Sequence, residues 1–186
     1  MRIRVKDIPS EGRTLEFELD SDLLNERTEA ARISVVKDTL RPPVYRFLPP
    51  ISANLSLNAE GSTVFVQGYA EGRFQTPCSR CAEETVRELR VPLRMVLKPR
   101  QSRGPEEARD EDLNFGFYDE QEVDCVPIVE EFLILELPFS VCCEEACQGL
   151  CPSCGANLNR DRCSCSVEPE SGDERFSVLR GLKLTH

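Results

Sequence analysis

Cysteine spacing constrains this chain more than any other feature. Two Cys-x-x-Cys pairs, "CSRC" at Cys78 and Cys81 and "CPSC" at Cys151 and Cys154, each supply half of a tetrahedral metal site. Gly155 follows the second pair, where the turn that closes a zinc knuckle often requires positive φ. Four more cysteines accompany the pairs: Cys142, Cys147, Cys163 and Cys165. One pair alone is weak evidence, but the combination predicts structural zinc.

The beginning of the chain bears on whether these cysteines form disulfides instead. "MRIRVKDIPSEG" is charged and alternating, without the apolar centre of a secretory signal. We therefore expect a cytoplasmic protein, and in that reducing compartment ten cysteines indicate metal more than disulfides. A thioredoxin-like redox pair is less favoured, because it requires a βαβ setting that the pattern lacks. No apolar run approaches the ~20 residues of a membrane span, so we expect no membrane contact.

Eight cysteines suit two ions, and the favoured division has two sets: Cys151, Cys154, Cys163 and Cys165, and Cys78, Cys81, Cys142 and Cys147. The first set is close enough in sequence to surround one ion with little loop-closure cost. The second set would fasten a sheet to the end of a helix across sixty intervening residues. A rival division combines Cys147, Cys151 and Cys154 with one of the last two cysteines. Cys125 and Cys143 fit neither set. We expect Cys125 to be a small buried residue and Cys143 to be a neighbour of the ligands without a ligand role of its own.

Alternating apolar residues predict strands throughout the N-terminal half. Ile3 and Val5 alternate with charged neighbours, and cleaner runs follow at 53–57, 64–72 and 89–95. Their apolar sides could form one face of an antiparallel sheet or of a partly open barrel. Pro92 suits an edge strand or a bulge, because proline cannot donate to a sheet ladder.

After these strands the period changes to that of an amphipathic helix, expected over 125–137. Its apolar side is expected to hold Ile128, Val129, Phe132, Leu133 and Leu135. Asp124 can cap the helix, and Pro138 ends it. The stretch 99–112 has almost no apolar residue, which predicts a mobile acidic loop. The fold class is therefore α+β. The expected organisation is a β-rich body at 1–140, a Cys-rich zinc knuckle at 141–166, and a linker with a short helical tail at 167–186.

Residues suited to catalysis are scarce. The single histidine is His186, and the sequence has no phosphate-binding glycine motif, no Gly-x-Ser-x-Gly and no His-Glu-x-x-His. Catalytic zinc usually keeps a histidine or carboxylate ligand and an open position, whereas an all-cysteine set is closed. We expect neither an enzyme nor a small-molecule substrate.

Charge is distributed unevenly in a chain of net charge −10. Residues 80–103 hold seven basic and three acidic residues, whereas 106–136 hold twelve acidic and one basic. The basic stretch supplies the candidate RNA contacts, since neutralised phosphates release counterions: Arg80, Arg87, Arg90 and Arg94. An equally good interpretation is that these arginines are simply exposed on the solvent-facing side of a sheet. The acidic stretch would sooner meet a basic ribosomal protein.

The order of motifs resembles the YceD family of bacterial proteins, which has plant organellar relatives. The motifs are "CSRC", "VEEFLILELP", "CQGLCPSCGANLN" and "CSC", and "RFSVLRGL" resembles the closing segment of the family, with Arg175 where proline is common. The likeness extends from about Gly68 onward. It implies a non-enzymatic role in accumulation of large-subunit (23S) ribosomal RNA, through contact with that RNA or with ribosomal proteins. The alternatives are a zinc-ribbon adaptor outside the ribosome and a zinc-thiol redox switch.

Overall fold

The structure, a computed structural model, describes residues 1–35, 44–100 and 115–165. Its strands and α-helices within those residues are β1 (Arg2–Arg4), β2 (Arg13–Glu18), α1 (Ser21–Val35), β3 (Arg46–Glu60), β4 (Thr63–Pro77), β5 (Glu84–Pro99), β6 (Phe115–Tyr118), β7 (Glu122–Asp124) and α2 (Cys125–Leu135). A sheet with helices and a Cys-rich C-terminal segment confirms the α+β prediction. No helix in these ranges is long and apolar enough to cross a membrane.

The larger described sheet has the strand order β2-β3-β4-β5-β6. Its strands pair antiparallel except for β5 and β6, which are parallel. The described pairings leave β2 and β6 at the two edges, so the sheet is open and does not close into a barrel. β1 and β7 form a separate antiparallel pair.

The three long strands β3, β4 and β5 follow the alternation in the sequence. Leu55, Val66 and Leu93 are buried on the core side, as the pattern requires. Gly68 stands opposite Leu55, and a Cβ there would lie 2.0 Å from the Asn54 carbonyl oxygen. The pairing therefore requires glycine at this position.

Pro92 lies where β5 is an edge strand. It is opposite Tyr69 of β4, whereas β6 pairs with β5 only from Val96 to Pro99. The described residues therefore leave the other side of Pro92 without a strand, as the missing N–H requires.

Helix α2 begins as expected, since Asp124 accepts a hydrogen bond from the Val126 amide at 3.3 Å. It ends at Leu135, two residues before the predicted end at 137. Leu135 is 74% exposed, so its assignment to the apolar side of the helix was wrong. Val129 and Leu133 are buried in the core as expected.

The strand pattern missed two described elements of the N-terminal half: a 3-10 helix at Val5–Asp7, where the strand containing Ile3 was expected to continue, and helix α1. Asp20 begins it, because its carboxylate accepts from the amides of Asp22 and Leu23 at 2.9 and 3.3 Å. Within residues 21–30, Leu24 and Thr28 are the helix residues that are buried. A buried stripe of this width gives the sequence little helical periodicity.

Two predicted segments fall wholly or mostly outside the described residues. The acidic loop at 99–112 overlaps them only at Pro99, which ends β5, and at Arg100. The tail at 167–186 lies outside them entirely. The division of the chain at residues 140 and 166 stays a prediction.

Candidate metal centres

The first centre joins two distant loops. Cys78 and Cys81 lie in the turn between β4 and β5, and Cys143 and Cys147 lie in the loop that follows α2. The four Sγ atoms lie within 4.8 Å of one another, and three of the residues are buried. The Cys78–Cys147 and Cys81–Cys143 sulfur distances are 3.9 and 3.6 Å.

These distances fit a tetrahedral ion. A Zn–S bond of about 2.3 Å places neighbouring sulfurs about 3.8 Å apart. Burial opposes ionisation of Cys78, but amides of Cys81, Arg80 and Cys143 donate to its sulfur and lower its pKa to about 6. The thiol of Cys143 instead keeps its proton, because its hydrogen bond with Cys147 and its partial burial raise its pKa to about 12. A bound cation would release that proton, so the cluster has the chemistry of a metal site.

The membership of this centre corrects the favoured division. Cys143 occupies the position assigned to Cys142, and Cys142 is not among the four. The Cys143 amide donates to Cys78 Sγ at 3.3 Å, which brings this residue to the cluster. Arg87 fixes the same loop by donating to the carbonyls of Cys142 and Cys143. Adjacent cysteines offer identical chemistry, and no spacing rule distinguished them.

The second centre contains the cysteines expected from sequence proximity: Cys151, Cys154, Cys163 and Cys165. All four Sγ atoms again lie within 4.8 Å of one another, but Cys154 and Cys165 are exposed. Amides of Cys154 and Ser153 donate to Cys151 and lower its pKa to about 6. Because Cys147 belongs to the first centre, the structure does not adopt the rival division.

Both Cys-x-x-Cys pairs adopt the same turn. The amide four residues after the first cysteine donates back to its carbonyl at 2.9 Å, from Ala82 to Cys78 and from Gly155 to Cys151. Ala82 has φ +58° and Gly155 has φ +73°. The positive φ expected at Gly155 is therefore confirmed. In the first turn an alanine occupies the equivalent left-handed conformation.

Hydrogen bonds connect the two centres. The Asn159 carboxamide, from the second knuckle, donates to Cys147 Sγ of the first centre at 3.4 Å. The Arg80 carbonyl accepts from the Leu150 amide at 3.0 Å, and the Arg80 guanidinium donates to the Cys147 carbonyl at 3.0 Å. Glu83 accepts from Asn157 and pairs with Arg160, both at 2.8 Å. The centres form one connected unit.

The four candidate RNA-contact arginines divide into two pairs. Arg80 and Arg87 bind carbonyls of the cysteine loop, and Arg87 faces the core side beside Phe74. Arg90 and Arg94 are exposed on the opposite face of β5. The structure does not bring all four together, and RNA contact stays a prediction.

Cys125, which the sequence left outside both sets, is fully buried at the start of α2. Burial raises its pKa to about 11, and it packs in the main core among residues such as Val129. It is the small core residue that was expected.

The model of one protein family, described as the large ribosomal RNA subunit accumulation protein YceD, matches residues 66–183. The chain belongs to the YceD family. The match begins within β4 and includes both metal centres, which agrees with the resemblance that the cysteine motifs indicated.

A curated relative of this YceD-family chain is the chloroplastic large ribosomal RNA subunit accumulation protein YCED homolog 1 of Arabidopsis thaliana. The two are 23% identical over 192 residues, which is 89% of this chain and 57% of the relative. The chain therefore spans little more than half the length of that protein. No solved structure shows significant similarity to this chain.

Proposed function

We propose that this chain is a non-enzymatic factor that supports synthesis, processing or accumulation of large-subunit ribosomal RNA in the bacterial cytoplasm. It does so by contact with that RNA or with ribosomal proteins. The observation that carries the proposal is the match to the YceD family over 66–183, whose description names accumulation of the large ribosomal RNA subunit. The relative carries the same description, although it is chloroplastic.

The proposal gives the two cysteine centres a structural role, with zinc as the ion. Each centre offers four sulfur ligands within 4.8 Å, which suits a soft or borderline cation in a tetrahedron. Four protein ligands leave no open position for a substrate, which supports a factor over a catalyst. Zinc supplies only a cross-link here, while the chain supplies the turns and amide donors.

Deletion of the gene tests the role directly. Large-subunit RNA should fall relative to small-subunit RNA, because the factor acts on one subunit, and the wild-type gene should restore the ratio. Quantifying both RNAs and their precursors after gradient separation measures this. An unchanged ratio in growing deletion cells would refute the proposal.

Sedimentation distinguishes this role from an adaptor outside the ribosome. The protein should migrate with precursors of the large subunit and not with free transcription machinery. Elemental analysis of the purified protein should find close to two zinc ions per chain. A protein that never enters the precursor fractions would contradict the assembly role, whatever its metal content.

A further inference from the structure

The outward face of β5 carries a strip of cations beside aromatic rings. Val91, Leu93 and Leu97 point into the core, so the alternate residues point away from it. We define the basic-aromatic strip as six outward residues: Arg90, Arg94 and Lys98 of β5, Phe65 and Tyr69 of β4, and Phe115 of β6. Pairing places Phe65, Val96 and Phe115 in one row across three strands.

Two of these cations lie over ring faces. The Arg90 guanidinium carbon lies 4.2 Å from the centre of the Tyr69 ring, and Lys98 Nζ lies 4.6 Å from the centre of Phe115. Cation–π attraction of this kind holds the charged groups at fixed places on an exposed surface. Arg94 lies between them on the same strand, exposed and opposite Gln67.

The fold brings these cations and rings together, although Phe115 belongs to an acidic stretch of the sequence. Phe115 is close in sequence to many acids, but parallel pairing with β5 brings it beside Lys98. The outward residues Phe65, Gln67 and Tyr69 of β4 and Pro92, Arg94, Val96 and Lys98 of β5 include no carboxylate. Carboxylates border the strip: Glu71 lies 3.7 Å from Arg90, Glu88 is the next outward residue of β5, and Glu16 and Glu18 line the surface beside Tyr69. A short cationic segment centred on Arg94 is thus formed on a chain of net charge −10.

We propose that the basic-aromatic strip binds single-stranded RNA. Arg94 and Lys98 contact phosphates, while the guanidinium plane of Arg90, backed by Tyr69, stacks on a base. Alternating cations and flat groups match the alternation of phosphates and bases in a single strand. A duplex buries its base faces and could use only the charges. The identity of the polyanion as RNA rests on the proposed function, whereas the location of the surface rests on the geometry.

The test uses the full chain with both metal centres loaded and a fluorescein-labelled 12-nucleotide oligouridylate. Anisotropy measures the dissociation constant over a series of KCl concentrations. Arg94→Gln should weaken binding about 3- to 10-fold and make the salt slope shallower by about 0.7, the value for one phosphate contact on a single strand. Tyr69→Leu should weaken binding by about 10-fold, because it removes the support of the stacking plane.

Arg46→Gln is the matched control. Arg46 of β3 is exposed on the same face of the sheet. It pairs with Gln75 of β4, which pairs with Val86 of β5, and Val86 lies about 26 Å along the strand from Arg94. It should bind like the wild type. Metal content and melting temperature confirm that each variant is folded.

Three outcomes would overturn the proposal that the strip binds single-stranded RNA. Arg94→Gln and Arg46→Gln could weaken binding equally, which would indicate diffuse charge. A 12-base-pair RNA duplex could bind as tightly as the single strand with no effect of Tyr69→Leu, which would remove the stacking. Arg94→Gln could lose association with large-subunit precursors while binding oligouridylate normally, which would make the surface a protein contact. None of these changes the RNA ratio in deletion cells, so the proposed function stands or falls separately.

Discussion

Substitution of two adjacent cysteines tests how the first centre is built. The structure places Cys143 Sγ 3.6 Å from Cys81 Sγ, while Cys142 is outside the cluster. Cys143→Ser should therefore abolish the first centre, whereas Cys142→Ser should leave it intact. The substitutions are chemically identical and one residue apart. Cys142→Ser also keeps the carbonyl that accepts from Arg87.

The expected loss follows from the length of chain that the centre closes. Cys81 and Cys143 are 62 residues apart, and a cross-link closing a loop of that length stabilises by roughly 4 kcal/mol in the chain-entropy model. For a chain of this size, about 1 kcal/mol shifts the melting temperature by about 2–4 °C, so we expect a fall of about 8–16 °C. This is a lower limit, because structural zinc contributes on the order of 10 kcal/mol of apparent binding energy.

Native mass spectrometry and thermal unfolding provide the assay. Wild type and Cys142→Ser should carry two ions and melt within about 2 °C of each other, since Cys142 is only half-buried, supplies no ligand and differs from serine by one atom. Cys143→Ser should carry one ion and melt far lower, or fail to fold. Two ions in Cys143→Ser together with one in Cys142→Ser would refute the geometry and restore the division expected from the sequence.

Three further changes test the second centre, the link between the centres and the turn of the first Cys-x-x-Cys pair. Cys163→Ser should remove one ion and cost less than Cys143→Ser, with a lower limit of about 3 kcal/mol, because that centre closes a loop of about a dozen residues; a loss larger than that of Cys143→Ser in the same melts would contradict this. Asn159→Ala should speed removal of one ion by a chelator about 10-fold, since it removes the donor to Cys147 Sγ, and an unchanged release rate would count against the link. Ala82→Gly should stabilise by up to about 1 kcal/mol, because φ +58° is strained for alanine, and a lower melting temperature would disprove the strain.

Patterns that depend on near neighbours were predictable from the sequence. The long strands follow a strict alternation, and Cys151, Cys154, Cys163 and Cys165 meet because the chain between them is short. Helix α1 was missed because Leu24 and Thr28 give a stripe too narrow to set a period, and its start depends on Asp20. Propensity identifies long amphipathic elements better than short, mostly polar ones.

Patterns that depend on distant neighbours were not predictable. The choice between Cys142 and Cys143 is made by a hydrogen bond to Cys78, which lies more than sixty residues away. Likewise, the arginines of the basic stretch look alike in sequence, but alternation sends Arg87 to the cysteine loop and Arg94 to the surface. Tertiary contacts assign each residue its role.

The net charge of the chain is a poor guide to whether it can bind RNA. At physiological salt the Debye length is about 8 Å, so exposed charges farther away are largely screened and the local surface decides. Around Arg94 the described neighbours on the outward face are Gln67, Pro92 and Val96, none of them acidic. A chain with an excess of acids can therefore present one cationic surface, and its remaining negative charge would repel RNA elsewhere. Such a distribution would favour one orientation on RNA over nonspecific coating, because the strip attracts phosphates and the excess of acids repels them.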